Sequence, residues 1–293
     1  MSVKAMLDFE YHAPATIKEA VTLLAEYKSD AKIFAGGTDM LPKMKAQVMC
    51  PKHIISLKNI EELKFVNYDK KKGLSFGAAT PIRAVENYAP VRAVYPALYE
   101  GIHCIASTQI RNAGTIVGNL VNAVPSADSA PASLVLGMTL HAVSVRGERD
   151  IPVNELFTGV CRTCLEPDEL VVSAQVPAPA ANSKSAYLPF TVRRAMDLSM
   201  AGVAANVTME GTVCREIKIA LGAVAVTPKR AANAEAMLTG KELTEDLIEK
   251  AAVAASTQDC SPITDMRATR EYRMELIRVL TRDAVKEAIR RIF

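Results

Sequence analysis

The sequence predicts a chain of mixed helix and strand in two unlike parts, and three observations carry that reading. Up to Pro177 short strand-like and helix-like patterns alternate, an α/β or α+β arrangement. The segment APAANSK, Ala178 to Lys184, has the composition of a linker. Beyond it the character changes to a long β-hairpin followed by helices. Residues 1–177 and 178–293 are therefore read as two domains.

Taken in order, Thr16-Ile17-Lys18-Glu19 is a capping box, and Ile17, Ala20, Val21 and Leu24 form the apolar stripe of the helix it starts. Ala31 to Ala35 reads as a short buried strand running into Gly36-Gly37-Thr38-Asp39. His53 to Leu57 and Leu74 to Gly77 read as further strands, and Thr80-Pro81 as N-cap and first position of a helix. Pro96 to Cys104 and Ala132 to Gly137 look helical, Leu140 to Val145 looks like a strand, and a strand opened by Pro167-Asp168-Glu169 ends at Pro177. Val203 to Met209 and Thr212 to Leu221, joined at Gly211, form the hairpin, with Val213, Ile217, Ile219 and Leu221 on one face. Pro228 to Leu238 is a helix closed by Gly240, and Thr244 caps a helix through Ser256. The last helix runs from about Ala268, with Tyr272, Leu276, Val279, Leu280 and Ile289 as its core stripe.

The bulk numbers exclude several function classes. At 293 residues and 49% apolar content the chain supports a sizeable core, so disorder is not expected. A net charge of +3, from 35 basic and 32 acidic residues, gives no nucleic-acid or membrane-surface footprint. No apolar run reaches the ~18 residues of a membrane span. The N-terminal MSVKAMLDFEYHAP carries acids where a signal peptide needs an apolar core, so a cytoplasmic location is expected. Six scattered cysteines then read mostly as small buried hydrophobes. Cys161 and Cys164 form a CxxC pair with no second pair to complete a four-ligand site, so packing is favoured over a redox or metal role. His12, His53, His103 and His141 are isolated in sequence, with no evident acid–base partner.

The stretch Gln109 to Pro131, QIRNAGTIVGNLVNAVPSADSAP, is where the chemistry concentrates. It holds Gly114, Gly118, three asparagines and only two formal charges, Arg111 and Asp128. Small residues bring backbone close to a ligand, and the amide N–H groups of such loops donate to phosphate oxygens. Asn119, Asn122 and Asp128 suit ribose hydroxyls or a pyrimidine edge. Alone the stretch reads equally as an ordinary Gly/Asn-rich surface loop. Gly36-Gly37-Thr38 at a strand end is a second place for backbone to wrap a diphosphate. Two such loops in one domain suggest a dinucleotide held across its pyrophosphate. No GxGxxG occurs, so a Rossmann site is not supported.

The pair AGGTD (Ala35 to Asp39) and QIRNAGTIVGN (Gln109 to Asn119), followed by PSADSAP, resembles the FAD-binding subunit of the molybdenum hydroxylases. That family includes xanthine, carbon monoxide and nicotinate dehydrogenases. AMDLSMAGVAAN (Ala195 to Asn206), ALGAVAVTPKRAANAE (Ala220 to Glu235) and RATREYRMELI (Arg267 to Ile277) are most similar to bacterial xanthine dehydrogenase FAD subunits. The resemblance implies an α+β fold: a flavin domain of the vanillyl-alcohol-oxidase (PCMH) type, then a smaller domain of antiparallel sheet and helices. It implies FAD as cofactor, held by Lys32, Ile33, Phe34, Ala35, Gly36, Gly37, Thr38 and Asp39 in the first loop. Gly114, Thr115, Gly118, Asn119 and Asn122 match the second, with Asp128 at a ribose and Ile110 near the adenine. Leu170 and Val171 match an apolar pair beside the isoalloxazine. No catalytic residue and no metal ligand of this chain is implied.

The implied role is electron transfer from [2Fe–2S] clusters on a small subunit through FAD to NAD, with a large molybdopterin subunit oxidising a purine. Alternatives are a flavin-poor scaffold subunit, the FAD subunit of a related hydroxylase, or a self-contained flavin oxidase. The chain departs from the family at Val117, where a glycine is common, and at Pro189, where a lysine often stands near the flavin; Arg193 or Arg194 could replace it. Val117 is compatible with the loop if its side chain points away. Replacing Gly37 or Gly118 by Val is expected to cost FAD without unfolding the chain. Asp128 is read as a ribose ligand or, failing that, as the N-cap of a helix beginning near Ser129.

Overall fold

The computed structural model describes residues 6–193 and 195–293. The first five residues of the N-terminal stretch read against a signal peptide, and Arg194, lie outside the described residues. Strands β1 (Glu10–His12), β2 (Ala31–Phe34) and β3 (His53–Ser56) form a parallel sheet in the order β1-β3-β2. Parallel strands need a crossover, and helix α1 (Ile17–Tyr27) supplies it between β1 and β2. The first half of the capping box forms, with Thr16 Oγ1 accepting from the Glu19 N–H at 3.2 Å, while Glu19 Oε2 reaches one residue past the N-cap and accepts from the Ala15 N–H at 2.8 Å. Ala20, Val21 and Leu24 of α1 are buried against this sheet. Helix α2 (Met40–Lys45) follows the first glycine loop.

A five-stranded antiparallel sheet comes next, in the order β4 (Val66–Asp69), β5 (Gly73–Gly77), β10 (Leu170–Val176), β6 (Thr139–Ser144), β7 (Gly147–Pro152). Short helices fill the chain between β5 and β6: α3 (Ile82–Asn87), α4 (Ala89–Val94), α5 (Pro96–His103), α6 (Thr108–Arg111), α7 (Ile116–Val121) and α8 (Ser129–Val135). A turn of helix, α9 (Val153–Leu156), leads to the hairpin of β8 (Phe157–Gly159) and β9 (Arg162–Thr163). Thr80 is not the N-cap of α3. Its hydroxyl accepts from the Phe65 N–H at 3.0 Å and donates to the Phe65 carbonyl at 2.9 Å, so Pro81 stands at the helix start.

The remaining strands, β11 (Ser183–Phe190), β12 (Ala201–Glu210), β13 (Val213–Gly222) and β14 (Lys229–Arg230), pair antiparallel in chain order. Ser183 and Lys184, read as linker, already belong to β11. The β12–β13 hairpin turns at Gly211, whose φ of +59° a glycine tolerates. A register shift after Thr208 turns Cys214 inward and leaves Val213 exposed, so the expected face holds only from Ile217 onward. Helices α10 (Ala232–Leu238), α11 (Glu245–Ala254) and α12 (Arg270–Arg290) cover one side of this sheet. Lys229 and Arg230 add to β13 as a strand, which moves the start of α10 four residues past Pro228. Tyr272 is 46% exposed and meets Phe190 edge-on; Arg273, Leu276, Ile277, Leu280, Ala284, Val285 and Ala288 take the buried positions of α12.

The opposite face of the four-stranded sheet packs on the first part of the chain. Tyr187, Ala204 and Ala220 share one apolar cluster with Leu98, Ile102, Val135 and the five-stranded sheet. Glu100 ties the two parts: its carboxylate accepts from the Tyr187 N–H at 2.8 Å and pairs with Arg291 at 2.5 Å. Among the described residues no helix is long and apolar enough to cross a membrane.

Candidate functional site

The two glycine loops meet. A Cβ built on Gly36 would lie 2.2 Å from the Ala113 carbonyl oxygen and 2.7 Å from the Gly114 Cα, so only glycine lets the loops close on each other. On the other side, a Cβ on Gly114 would lie 3.3 Å from Thr38 Oγ1. Sites 77 residues apart (Gly37 to Gly114) thus form one backbone surface at the C-terminal end of β2.

The surrounding chain clamps this surface. The Gly114 carbonyl accepts from the Ile82 N–H at 2.8 Å, and Thr115 bridges to Pro81. Thr115 Oγ1 caps α7 by accepting from the Gly118 N–H at 2.9 Å. Lys43, on α2 just past the first loop, donates from Nζ to Asn122 Oδ1 at 2.8 Å. Ser129 donates to Asn119 Oδ1 at 2.6 Å. Ala106 and Ala123 flank the second loop with φ of 46° and 49°, and Ala223, at φ 63°, donates its N–H to the Pro125 carbonyl at 2.9 Å. Non-glycine residues held at positive φ are uncommon and gather where surrounding contacts impose the conformation.

Lys43 was not singled out in the sequence. It is a cation beside these loops, and its only sequence signal was its position one turn after Gly36-Gly37-Thr38-Asp39. Arg111, the lone base of the second stretch, turns inward instead. It is buried, with Nη1 on the Ile105 carbonyl at 2.9 Å and Nε on Glu86 at 3.1 Å.

The expected residues fall into groups. Gly36, Thr38, Gly114, Thr115, Asn119 and Asn122 are brought together with the exposed Gly118. Lys32, Ile33 and Phe34 form β2, Ala35 follows it, and Asp39 is exposed at the start of α2. Phe34 is buried beneath the loop: a Cβ on Gly37, which has φ +69°, would sit 2.2 Å from its ring. The expectation that Gly37→Val spares the fold is therefore corrected, because the clash is within the chain. Ile110 is half-buried, and its carbonyl accepts from the Gly114 N–H at 2.7 Å. Val117 is buried in the core of the first part, its branched side chain away from the loop.

Leu170 and Val171 do not form a shared apolar face. Successive strand residues point to opposite sides, and Leu170 packs with α1 while Val171 packs with Ile116 and Val117 in the other cluster. Asp128 stands at the start of α8 but makes no capping bond. Its Oδ1 instead accepts from Tyr187 Oη at 2.7 Å and Ser199 Oγ at 2.5 Å, both from the second part. Burial raises its pKa above the ordinary carboxylate value, and the two hydroxyl donors oppose that shift. Pro189 lies on β11, an edge strand, where a missing N–H is tolerated. Arg193 is turned back on its own loop, donating to the Met196 carbonyl at 2.8 Å and facing Asp197 at 3.4 Å.

Next to the second loop Glu86 gathers charge. Its side chain, 2% exposed, meets Arg83 at 3.0 Å, Arg111 at 3.1 Å and His103 at 2.6 Å. Burial alone would raise its pKa, but hydrogen bonds from His103 and Arg83 and the charge of Arg111 outweigh it and hold the carboxyl below its ordinary value. The histidines are not isolated in space. His103 pairs with Glu86, His141 lies 2.8 Å from Asp150 and 3.2 Å from Glu148, and His12 lies 3.2 Å from His53. These partners come from neighbouring strands and helices, which spacing along the chain does not show. Cys161 is exposed, Cys164 packs against the apolar cluster of the first part, and both are free thiols.

Comparison with known proteins places the chain in a family and a fold. Residues 7–179 match the FAD binding domain in molybdopterin dehydrogenase, and residues 186–288 match the CO dehydrogenase flavoprotein C-terminal domain. The xanthine dehydrogenase FAD-binding subunit of Escherichia coli O157:H7 is 34% identical over 97% of this chain and 97% of its own length. The carbon monoxide dehydrogenase medium chain of Hydrogenophaga pseudoflava is 33% identical over 96% of each. A solved structure of carbon monoxide dehydrogenase from Hydrogenophaga pseudoflava superposes with a TM-score of 0.93 at 34% identity, over 97% of this chain and 98% of that one.

Proposed function

Since this chain belongs to the FAD-binding subunits of the molybdenum hydroxylases, we propose that it links the [2Fe–2S] centres of a small subunit to NAD in the cytoplasm. It is an oxidoreductase subunit with FAD as its cofactor. The observation that carries the reading is the junction of the two glycine loops, where a Cβ on Gly36 would lie 2.2 Å from Ala113. The residues present fit a dinucleotide: hydroxyls of Thr38 and Thr115, amides of Asn119 and Asn122, and the ammonium of Lys43 border one backbone surface. A diphosphate calls for such donors and one cation, and the sugars for the amide groups.

When bound, FAD supplies the conversion between one-electron and two-electron transfer. The protein's work is to hold it. Gly36, Gly37, Thr38, Gly114, Thr115 and Gly118 are assigned to the pyrophosphate. Lys43 is assigned there as its counter-charge, which leaves Arg111 free for its inward role. Asn119 and Asn122 are assigned to the sugars, each oriented by a partner, Ser129 and Lys43 respectively. Residues 1–177 carry this site. Residues 178–293 press on it through Tyr187 and Ser199, whose hydroxyls reach Asp128.

A large molybdopterin subunit is the proposed site of substrate oxidation. Relatives at 34% and 33% identity are subunits of xanthine and carbon monoxide dehydrogenases, and a purine is the substrate class proposed here, on the three stretches similar to xanthine dehydrogenases. The scaffold alternative loses one of its two grounds, because Val117 points into the core. The test is co-purification of the native complex. Expected are one FAD per copy of this chain, two further kinds of subunit, and NADH on mixing with purine and NAD⁺. Dye reduction without NADH would overturn NAD as acceptor, and a complex that carries iron–sulfur but no extractable flavin would overturn the electron-transfer role.

A further inference from the structure

We propose that Glu10, His12 and His53 form a binding site for one divalent transition-metal ion of the zinc class, at the end of the first sheet away from the glycine loops. Glu10 and His12 are two residues apart on β1 and so share a face, and His53 pairs with Glu10 across the parallel ladder. Their ligand atoms converge, all within 4.8 Å of one another. His12 Nε2 lies 3.2 Å from His53 Nδ1, Glu10 Oε2 lies 3.2 Å from His53 Nδ1, and Glu10 Oε2 lies 3.8 Å from His12 Nε2.

Those separations match a tetrahedral metal. With Zn–N near 2.0–2.1 Å the edge of the tetrahedron is about 3.3–3.4 Å, which falls inside the observed range of 3.2 to 3.8 Å. Two imidazole nitrogens and a carboxylate oxygen meet within 3.2 to 3.8 Å of one another, and in the appropriate tautomers all three offer lone pairs. A proton can satisfy one contact at a time, whereas a dication satisfies all three. Two histidines and one carboxylate are a common zinc donor set, with the fourth position left to water. Glu10, at 71% side-chain exposure, borders the open side through which that water and the ion arrive.

The imidazoles are oriented by packing. Tyr27 stacks on the His53 ring with centroids 3.8 Å apart and planes 8° from parallel, and also stacks on His12 at 5.2 Å. Both histidine side chains are largely buried, at 21% and 16% exposure. The site is separate from the cofactor loops. Ala31 pairs with His53 and Phe34 with Ser56, so three residues of β2, about 10 Å, separate it from the start of the first loop. Its role is to staple the three-residue edge strand β1 to β3, a strand too short to hold well by its ladder alone.

The test is titration of the full-length, metal-stripped protein with Zn²⁺ and with Co²⁺. Expected are one equivalent bound, an intense visible Co²⁺ spectrum of tetrahedral type without a thiolate band, and a higher unfolding temperature. His12→Ala should weaken binding roughly 100-fold, and the exposed Glu10→Gln roughly 10-fold, with FAD content unchanged. Should His12→Ala unfold, Glu10→Gln alone decides. Failure of the wild type to bind, a spectrum carrying a thiolate band from the six cysteines, or undiminished binding in both variants overturns the site.

Discussion

Asp128 is the sharpest point of difference between a ligand role and a structural one. The perturbation is Asp128→Ala, with Asp128→Asn beside it. In the wild type the carboxylate takes two hydroxyl protons, at 2.7 Å from Tyr187 and 2.5 Å from Ser199, and all three side chains are buried. Truncation to alanine strands the Tyr187 hydroxyl, which costs about 1–3 kcal/mol, and removes two charge-assisted bonds of roughly 1.5–3 kcal/mol each. Against this, alanine removes a buried carboxylate whose ionisation burial opposes. The net expectation is about 2–4 kcal/mol lost, a fall of roughly 3–7 °C in unfolding temperature for a chain of 293 residues. Asparagine keeps an oxygen for both hydroxyls and sheds the buried charge, so it should stay within about 1 kcal/mol of wild type. The sign with pH follows. A carboxyl whose folded pKa is raised costs stability as pH rises from its unfolded value of 3.8 through the folded one, and Asp128→Asn should flatten that decline. Urea unfolding of the FAD-free protein followed by tyrosine fluorescence and circular dichroism reads all of this. An alanine variant within 0.5 kcal/mol of wild type would refute the reasoning, and so would an asparagine variant as unstable as alanine.

Gly36→Ala should force the loops apart and lower FAD content at least roughly tenfold, about 1.4 kcal/mol, measured by flavin absorbance per chain. Gly37→Ala carries both a positive φ and the Phe34 clash, so calorimetry of the FAD-free protein should show it destabilised by about 1–3 kcal/mol. Glu86 has a lowered pKa, so the stability it holds is full above its ordinary value of 4.5 and is lost as pH falls through the folded value. Acid unfolding of Glu86→Gln should accordingly begin from a lower plateau and fall less steeply below pH 4.5 than wild type. On α12, Ile277→Ala should cost about 2–5 kcal/mol and Tyr272→Ala under about 1 kcal/mol in chemical denaturation. Reversal of that order would return the helix to the stripe first expected.

Much of the architecture was legible because its causes are local. Thr16-Ile17-Lys18-Glu19, Thr244 ahead of Leu247, and Gly211 between two alternating runs act within three or four residues, so a reading of neighbours finds them. The close approach of backbone at the glycine loops was legible for the same reason. A run of small residues leaves backbone approachable whatever it faces. Local reading failed where a distant partner outbid the local one. Thr80 looks like a cap, but Phe65 takes its hydroxyl; Pro228 looks like a helix start, but β13 recruits Lys229 and Arg230. The inward face of β13 changes at one irregular pairing with β12, and a period-two pattern cannot foresee a bulge.

The amino-acid sequence by itself determined that this chain has two glycine loops, a mixed fold and the motifs of a flavin subunit. Only the tertiary structure decided that Gly36 seats against Ala113, that Lys43 rather than Arg111 stands beside the loops, and that Asp128 faces Tyr187 and Ser199, 59 and 71 residues away. The physical reason is range. Capping and periodicity are set by bonds and turns a few residues long, whereas a buried charge takes whichever donor the packed core carries to within 3 Å, and that donor can come from anywhere in the chain.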